Sequence, residues 1–188
     1  MSAFGVIKHL SDAIVAGLNT AFGDDPSTAA FAGTIFTDSP ASAGAGAGQK
    51  TGMSFWPYRV ERDEFLSNPS LVPIGTSLLG IPPLNVDVFY LVTPMTGSGD
   101  SDQLLLEKTL QYLYDVGPIP LGTDNPIVTF ETPGADELFR LWSALDIPYA
   151  LSCVFVARHV AINSLRPPQA ASRIVERYDR YVTIESPS

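Results

Sequence analysis

The stretch from Glu137 to Ser152 constrains the fold of this chain more than any other segment. It predicts a short amphipathic helix that passes through one turn into a long apolar strand. Thr132 as N-cap, Pro133 at the first helical position and acidic residues in the first turn favour a helix start at this point. Four side chains at helical spacing are predicted to face a core: Leu138, Leu141, Trp142 and Leu145.

The other periodic segments alternate between the two kinds of secondary structure. Apolar residues three and four apart predict helices over 3–22 and 101–114, and alternation predicts a half-buried strand over 84–92. Further strands are predicted over 127–131 and 149–162, with a possible last one over 173–184. The order favours an α+β fold, in which helices pack against a mostly antiparallel sheet.

Three segments without a clear helical period are predicted to connect or flank these elements. The Ala- and Gly-rich stretch 39–52 can bury little side-chain area and predicts a mobile loop, and the Pro-rich stretch 67–83 predicts a long structured loop. Residues 53–60 predict a strand, in which Pro57 favours an edge position or a bulge because proline lacks the backbone N–H that a ladder needs. Residues 28–37 are moderately β-prone.

The length of 188 residues fits one core, and we expect a main domain over 1–163 followed by a C-terminal arm or extra strand over 164–188.

No apolar run reaches the roughly 18 residues of a membrane span. Lys8, His9 and Asp12 interrupt the apolar residues of the N-terminus, which argues against a secretory signal. The expected location is therefore the cytoplasm, without direct membrane insertion.

The charge distribution is uneven. The net charge of −9 argues against nucleic acid as a partner, because phosphate binding needs clustered Lys and Arg. From Arg158 onward, however, five Arg stand against three acidic residues. A basic tail on an acidic body suits docking onto an acidic neighbour, and a solvated tail is the plain alternative.

No constellation for catalysis, a cofactor or a metal is evident in the sequence. Gly44–Thr51 resembles a phosphate-binding loop, but Gln49 stands where the glycine before the lysine should be, and a strand follows. His9 and His159 lack a neighbouring nucleophile motif, and Asp87 and Asp115 are lone carboxylates. A zinc site needs several Cys or His ligands, so the single Cys153 is interpreted as a buried structural thiol.

The best interface candidates are the edge strand and the polar, aromatic tail, since Arg and Tyr are enriched at contact hot spots. The predicted interface residues are Tyr58, Arg59, Arg173, Ile174, Arg177, Tyr178, Arg180 and Tyr181.

Three stretches, taken in order, resemble the cap, or tail-terminator, proteins that close the tube and sheath of phage-tail-like contractile injection systems. They are Pro82–Pro94, with its Pro-Pro-Leu-x-Val-Asp-x-Phe-Tyr-Leu-Val-Thr-Pro pattern, the helix beginning near Asp102, and the block Leu138–Ile162. The block carries the most specific motif, Leu-x-x-Leu-Trp-Ser-Ala-Leu followed by Pro148-Tyr149-x-Leu-Ser. Pro148 and Tyr149 are expected to belong to the core motif together with Leu138, Leu141, Trp142 and Leu145. The chain departs from the family pattern at 41–48 and after Asn163.

The resemblance implies an α+β terminator fold, a hexameric ring at the end of the inner tube, and contact with the last layer of sheath. The implied partners are copies of the chain itself and the inner-tube and sheath proteins, and no catalytic residue or cofactor is implied. Two alternatives remain. One is a neck or baseplate adaptor of the same particle, and the other is a small acidic ligand-binding protein or hydrolase with a pocket that carries His159 or Asp87.

Overall fold

A computed structural model gives the fold of residues 5–44, 48–63, 70–74, 78–121 and 125–170. The chain divides into two compact units. The first comprises Met1–Ser67 and Pro83–Asn163, and the second comprises Asn68–Pro82 and Ser164–Ser188.

The first unit is built on a five-stranded sheet with the order β1-β2-β5-β7-β6. Four of its strands run antiparallel to their neighbours, and only the short β1 pairs with β2 in parallel. The strands are β1 (Ile35–Phe36), β2 (Gly52–Arg62), β5 (Leu84–Met95), β6 (Ile127–Glu131) and β7 (Cys153–Ile162), and the helices are α1 (Val6–Gly23), α2 (Pro40–Gly44), α3 (Gly99–Asp115) and α4 (Ala135–Leu145). This arrangement confirms the predicted α+β class.

The central strand β5 is buried on both of its faces. On one face, Val88 and Tyr90 belong to the core that α1 and α3 cover. On the other face, Phe89 and Leu91 form a second core with Trp142 of α4. The sequence predicted only a half-buried strand, because Asn85 and Asp87 make the second face polar at the start of β5. Further along the strand the same face is apolar and buried.

Helix α1 supplies much of the larger core through one apolar stripe. Leu10, Ile14, Leu18 and Phe22 are all fully buried, at the three- and four-residue spacing that the sequence predicted. Burying each such side chain contributes about 1.5–3 kcal/mol. The helix ends at Gly23, as expected.

Two bulges interrupt the ladders of the sheet. The register of β2 shifts between Pro57 and Arg59, which confirms the expected bulge at proline. Beyond Ser54, the outer side of β2 also has no strand partner within the described ranges, so the edge position is confirmed as well. The second bulge lies between β5 and β7, where Arg158 and His159 stand opposite Asp87.

The second unit contains a three-stranded antiparallel sheet with the order β3-β4-β8. Its strands are β3 (Val72–Ile74), β4 (Leu78–Gly80) and β8 (Gln169–Ala170). The prediction of a loop over 67–83 is therefore wrong for β3 and β4. β3 and β4 are close in sequence and pair with each other, whereas β8 joins β4 from a distant segment. The Pro-rich stretch has no strand period from which the two strands could be predicted.

Other boundaries also differ from the sequence prediction. Residues 40–44 form α2 and not a loop, because Ser39 caps it: its Oγ accepts the Ser42 N–H at 3.1 Å. Helix α4 begins at Ala135 with Gly134 as N-cap, two residues after the expected start. Strand β7 begins at Cys153 and not at Tyr149, and residues 29–31 form a 3₁₀ turn ahead of the short β1.

Candidate functional site

The open edge of β2 carries two of the predicted interface residues, and both make contacts inside the first unit. The Arg59 guanidinium lies 3.9 Å from the centre of the Phe89 ring, and its Nη1 donates to Glu137 Oε1 at 2.6 Å. The Tyr58 ring packs edge-on against Phe89, with 6.4 Å between centroids, and burial raises the pKa of the Tyr58 hydroxyl. Each side chain therefore helps to hold α4 on the sheet and still leaves part of its surface exposed.

Helix α4 separates buried from exposed side chains sharply. Trp142 is 3% exposed, and Leu138, Leu141 and Leu145 pack against the same small core. Phe139, which falls outside this stripe, is 72% exposed. The stripe could be predicted from the sequence, and the exposed Phe139 could have been found from the same helical projection.

The turn after α4 departs from the core role expected for Pro148 and Tyr149. Asp146 ends the helix in the left-handed region at φ 54°, and Ile147 and Ala150 of the following turn still pack against the second core. Pro148 is exposed, and Tyr149 is 64% exposed with its ring 5.5 Å from the Trp142 ring. Together with Phe139 and the exposed Leu151, Tyr149 adds to the apolar surface of this region.

A groove of about 550 Å³ runs between α3 and the edge strand β6. Tyr114 at the end of α3 is 89% exposed, and Phe130 and Ile127 of β6 are 56% and 46% exposed. The Phe130 ring also packs edge-on against Phe155 of β7 at 5.7 Å. Sequence reasoning missed this groove, because it depends on where α3 lies over the sheet.

Strand β6 also presents a backbone edge beside the groove. An isolated bridge joins Ile127 to Pro118, but from Val128 to Glu131 the outer side of β6 pairs with no strand in the part of the chain that the structure describes. An open strand edge can accept a further strand, and an adjacent apolar groove can accept that strand's side chains. This surface is suited to binding an extended segment.

The two residues considered for hydrolysis meet at the second bulge, where they support the backbone. Asp87 accepts the His159 N–H at 3.3 Å and an Arg158 N–H at 3.1 Å, and His159 Nδ1 lies 2.9 Å from Asp63 Oδ2. His159 itself adopts φ 61°. A second Arg158 N–H donates to Glu131 at 3.2 Å. The cluster therefore provides hydrogen-bond partners for its charged side chains and for the backbone N–H that the bulge removes from the strand pairing.

Cys153 lies at the start of β7 and packs against the larger core. Burial raises the pKa of its thiol to about 12, so the thiolate that would act as a nucleophile is strongly disfavoured.

The remaining predicted interface residues lie outside the described residues: Arg173, Ile174, Arg177, Tyr178, Arg180 and Tyr181. Over the described ranges, no cluster of three or more His, Cys, Asp or Glu is placed to hold a metal. No helix among those residues is long and apolar enough to cross a membrane.

The solved structures that share the fold of this chain include two tube terminators. One is the sheath/tube terminator of an extracellular contractile injection system, PVC, in its extended state, with a TM-score of 0.66 at 19% identity over 95% of this chain and 64% of that one. The other is the tube-terminating cap of the anti-feeding prophage, with a TM-score of 0.63 at 16% identity over 96% of this chain and 63% of that one. The chain thus spans less than two thirds of either protein. No curated protein matches it.

The family comparison covers nearly the same residues as the fold. The family model described as the Pvc16 N-terminal domain matches residues 5–176 of this chain. That range includes both cores, the open edges and the groove. The resemblance to cap proteins of contractile injection systems is thereby confirmed, and the chain belongs to the Pvc16 N-terminal domain family.

Proposed function

We propose that this chain is a non-catalytic cap subunit that ends the inner tube of a contractile injection particle. Family membership over residues 5–176 carries the proposal, because the two neighbours of the same fold are described as a sheath/tube terminator and a tube-terminating cap. In the particle, six copies form a ring, which stops growth of the tube and anchors the terminal layer of sheath.

The two open edges of the five-stranded sheet support ring formation. A ring is closed by heterologous contacts, in which each subunit meets its two neighbours through two different surfaces. One open edge is the outer side of β2 beyond Ser54, which the two-residue β1 leaves uncovered, and the other is the outer side of β6, the last strand, from Val128 to Glu131. Each provides backbone groups that a strand from a neighbour can pair with.

The groove beside β6 supports contact with a further subunit of the particle. Exposed aromatic residues such as Tyr114 and Phe130 dominate interface energetics, because they bury a large area at low entropic cost. The C-terminal arm or extra strand predicted over 164–188 carries four Arg against three acidic residues, and contacts from these Arg would add attraction to acidic neighbours.

The first experiment compares particles from cells with and without this gene by negative-stain electron microscopy. The cap role predicts missing, uncapped or variable-length particles in the deletion. Normal particles of fixed length would contradict it, and a labelled subunit found at the neck or baseplate would favour an adaptor.

Point variants then test the groove. Phe130→Glu should leave the chain folded and abolish assembly, because a charge cannot be buried in an apolar contact. Thr20→Glu places the same charge on the exposed side of α1 and serves as the control. Assembly by the Phe130 variant at the level of the control would remove β6 from the proposed interface.

A further inference from the structure

A second cavity, of about 290 Å³, lies between α2, the end of β5 and the turn after α4. Its lining is apolar except for two side chains. The apolar lining includes Ala41, Met95, Ile147 and Pro148, and the other two residues are Thr93 of β5 and Trp142 of α4.

Both of these polar residues are buried with an unsatisfied hydrogen-bonding group. Thr93 is 1% exposed and Trp142 is 3% exposed, and neither Thr93 Oγ1 nor Trp142 Nε1 has a hydrogen-bond partner among the described residues. Ser54, opposite Thr93 in the sheet, donates its own hydroxyl to the Asp38 carbonyl at 2.7 Å and is therefore already occupied. An unpaired buried group costs about 1–3 kcal/mol, so folded proteins rarely retain one without a use.

The chemistry of the lining defines what can fill the cavity. The indole N–H only donates, whereas the threonine hydroxyl can donate or accept, so an occupant must offer an acceptor such as a carbonyl oxygen. No charged side chain lines the cavity, which disfavours an ionic ligand. The volume is about ten times the roughly 30 Å³ share of one water molecule, and an apolar wall holds few waters.

The surroundings of the cavity favour a polypeptide occupant over a small molecule. Pro148 lines the cavity and is exposed, and exposed Tyr149 and Leu151 follow it along the chain. Apolar surface that continues beyond a pocket is typical of contacts between proteins, in which one anchor side chain enters and flanking residues lie on the rim.

We propose that this cavity binds one uncharged apolar residue of a peptide segment from a neighbouring subunit. The segment's backbone carbonyl accepts the hydrogen bond of Trp142 Nε1–H, and its next peptide group pairs with the Thr93 hydroxyl. Both polar atoms are covered by the surrounding protein, so binding requires that the side chains of Thr93 and Trp142 turn these atoms toward the cavity. The source of the segment rests on the proposed cap function, but the pocket itself does not.

The test is nuclear magnetic resonance of the ¹⁵N-labelled 188-residue chain, which has two indole N–H signals that a Trp56→Phe variant assigns. The probe is N-acetyl-leucine N′-methylamide, which carries one apolar side chain between two carbonyls, and the corresponding aspartate compound is its control. We expect a saturable shift of the Trp142 signal with the leucine probe alone. A ligand this small binds with a Kd of about 1 mM.

Variants connect the shift to the cavity. Ala41→Leu fills the cavity and should abolish the shift, while Ala144→Leu makes the same change on the exposed face of α4 and should preserve it. Ala150→Leu is the second filling variant if the first does not fold. Thr93→Val keeps the shape, removes the hydroxyl and should weaken binding about fivefold, the effect of one hydrogen bond.

Three outcomes would overturn the proposal. They are an equal shift with the aspartate probe, a shift that persists in the filled variants, and no saturable shift together with magnetisation transfer from water to Trp142 Nε1–H. The last would mean that water occupies the site. This readout uses the isolated chain, so normal particles in the gene deletion would contradict the cap role without affecting it.

Discussion

Arg59 on β2 and Glu137 in the first turn of α4 are joined across the second core by a contact of 2.6 Å between Nη1 and Oε1. The same guanidinium covers the Phe89 ring, so one side chain links the helix, the edge strand and the central strand. Arg59 is 35% exposed and Glu137 is 41% exposed. Solvent screening therefore keeps the ion pair weak, and the stacking of Arg59 on Phe89 contributes more to the stability of the fold than the ion pair does.

Arg59→Ala should accordingly destabilise the chain by about 1–2 kcal/mol, since it removes the stacking, the aliphatic stem and the ion pairs with Glu137 and Glu61 together. Glu137→Gln removes only a screened charge and should cost about 0.5 kcal/mol or less. Urea unfolding measures both. Arg140→Ala, at an exposed position of the same helix, is the control and should remain within about 0.5 kcal/mol of the parent chain. A larger effect for Glu137→Gln than for Arg59→Ala would contradict the assignment.

Ser11 of α1 and Tyr90 of β5 share a buried hydrogen bond of 3.0 Å, and their two truncations should differ in cost. Tyr90→Phe leaves Ser11 Oγ donating to the Ile7 carbonyl at 2.9 Å, so the loss should be about 1 kcal/mol. Ser11→Ala leaves the Tyr90 hydroxyl buried and alone, at a cost of about 1–3 kcal/mol.

The double variant provides the check on this pair. Ser11→Ala combined with Tyr90→Phe should be about as stable as Ser11→Ala alone or better, because the orphaned hydroxyl is gone. Strictly additive losses in urea unfolding would mean that the two hydroxyl groups do not interact.

Periodicity was sufficient to predict the elements that bury one face. The stripe of α1, the boundaries of β6 and the core side of α4 follow from side chains repeating with the helix or the strand, and burial selects for that repeat. Pro57 likewise predicted its own bulge, because the absence of an N–H is a local property.

Most of the remaining features have no local period, and several depend on contacts between segments that are remote in sequence. Strands β3 and β4 lie in a Pro-rich stretch without a period, and β8 joins β4 from about ninety residues further along the chain. The groove beside β6 depends on how α3 crosses the sheet, and the pocket at Thr93 and Trp142 draws on three separate segments. Helix α2, in contrast, had a local signal that was overlooked, since Ser39-Pro40 is a cap followed by a favoured first residue.

Gly17 marks the close approach of α1 and α3. A Cβ built at this position would lie 1.8 Å from the Tyr112 hydroxyl oxygen and 2.8 Å from its ring carbon. Glycine within a helix normally costs about 1 kcal/mol relative to alanine, so Gly17→Ala would stabilise an isolated α1. Here the forced movement of Tyr112 should outweigh that gain and destabilise the chain by about 1–2 kcal/mol overall.

A second substitution tests the cause of this loss. Gly17→Ala with Tyr112→Leu should be more stable than the sum of the two single variants predicts, because the obstructing ring is removed. Gly99→Ala, where a new Cβ meets open space, is the matched control and should change stability by no more than about 0.5 kcal/mol. A stabilised Gly17→Ala chain would show that Tyr112 moves aside without cost.

The half-buried thiol of Cys153 should make the chain sensitive to mild alkali. Burial raises its pKa from 9.0 to about 12, so the folded state keeps the proton that the unfolded chain releases. The resulting stability is fully present below pH 9 and is lost progressively up to pH 12. Between pH 8 and pH 10, the free energy of unfolding, measured with urea, should fall by about 1.4 kcal/mol more in the parent chain than in Cys153→Ala.

Tyr90→Phe is the control. Burial raises the pKa of Tyr90 from 10.0 to about 12, so the ionisation of Tyr90 lowers stability mainly above pH 10. Equal losses in the parent chain and in Cys153→Ala would mean that the folded thiol ionises normally.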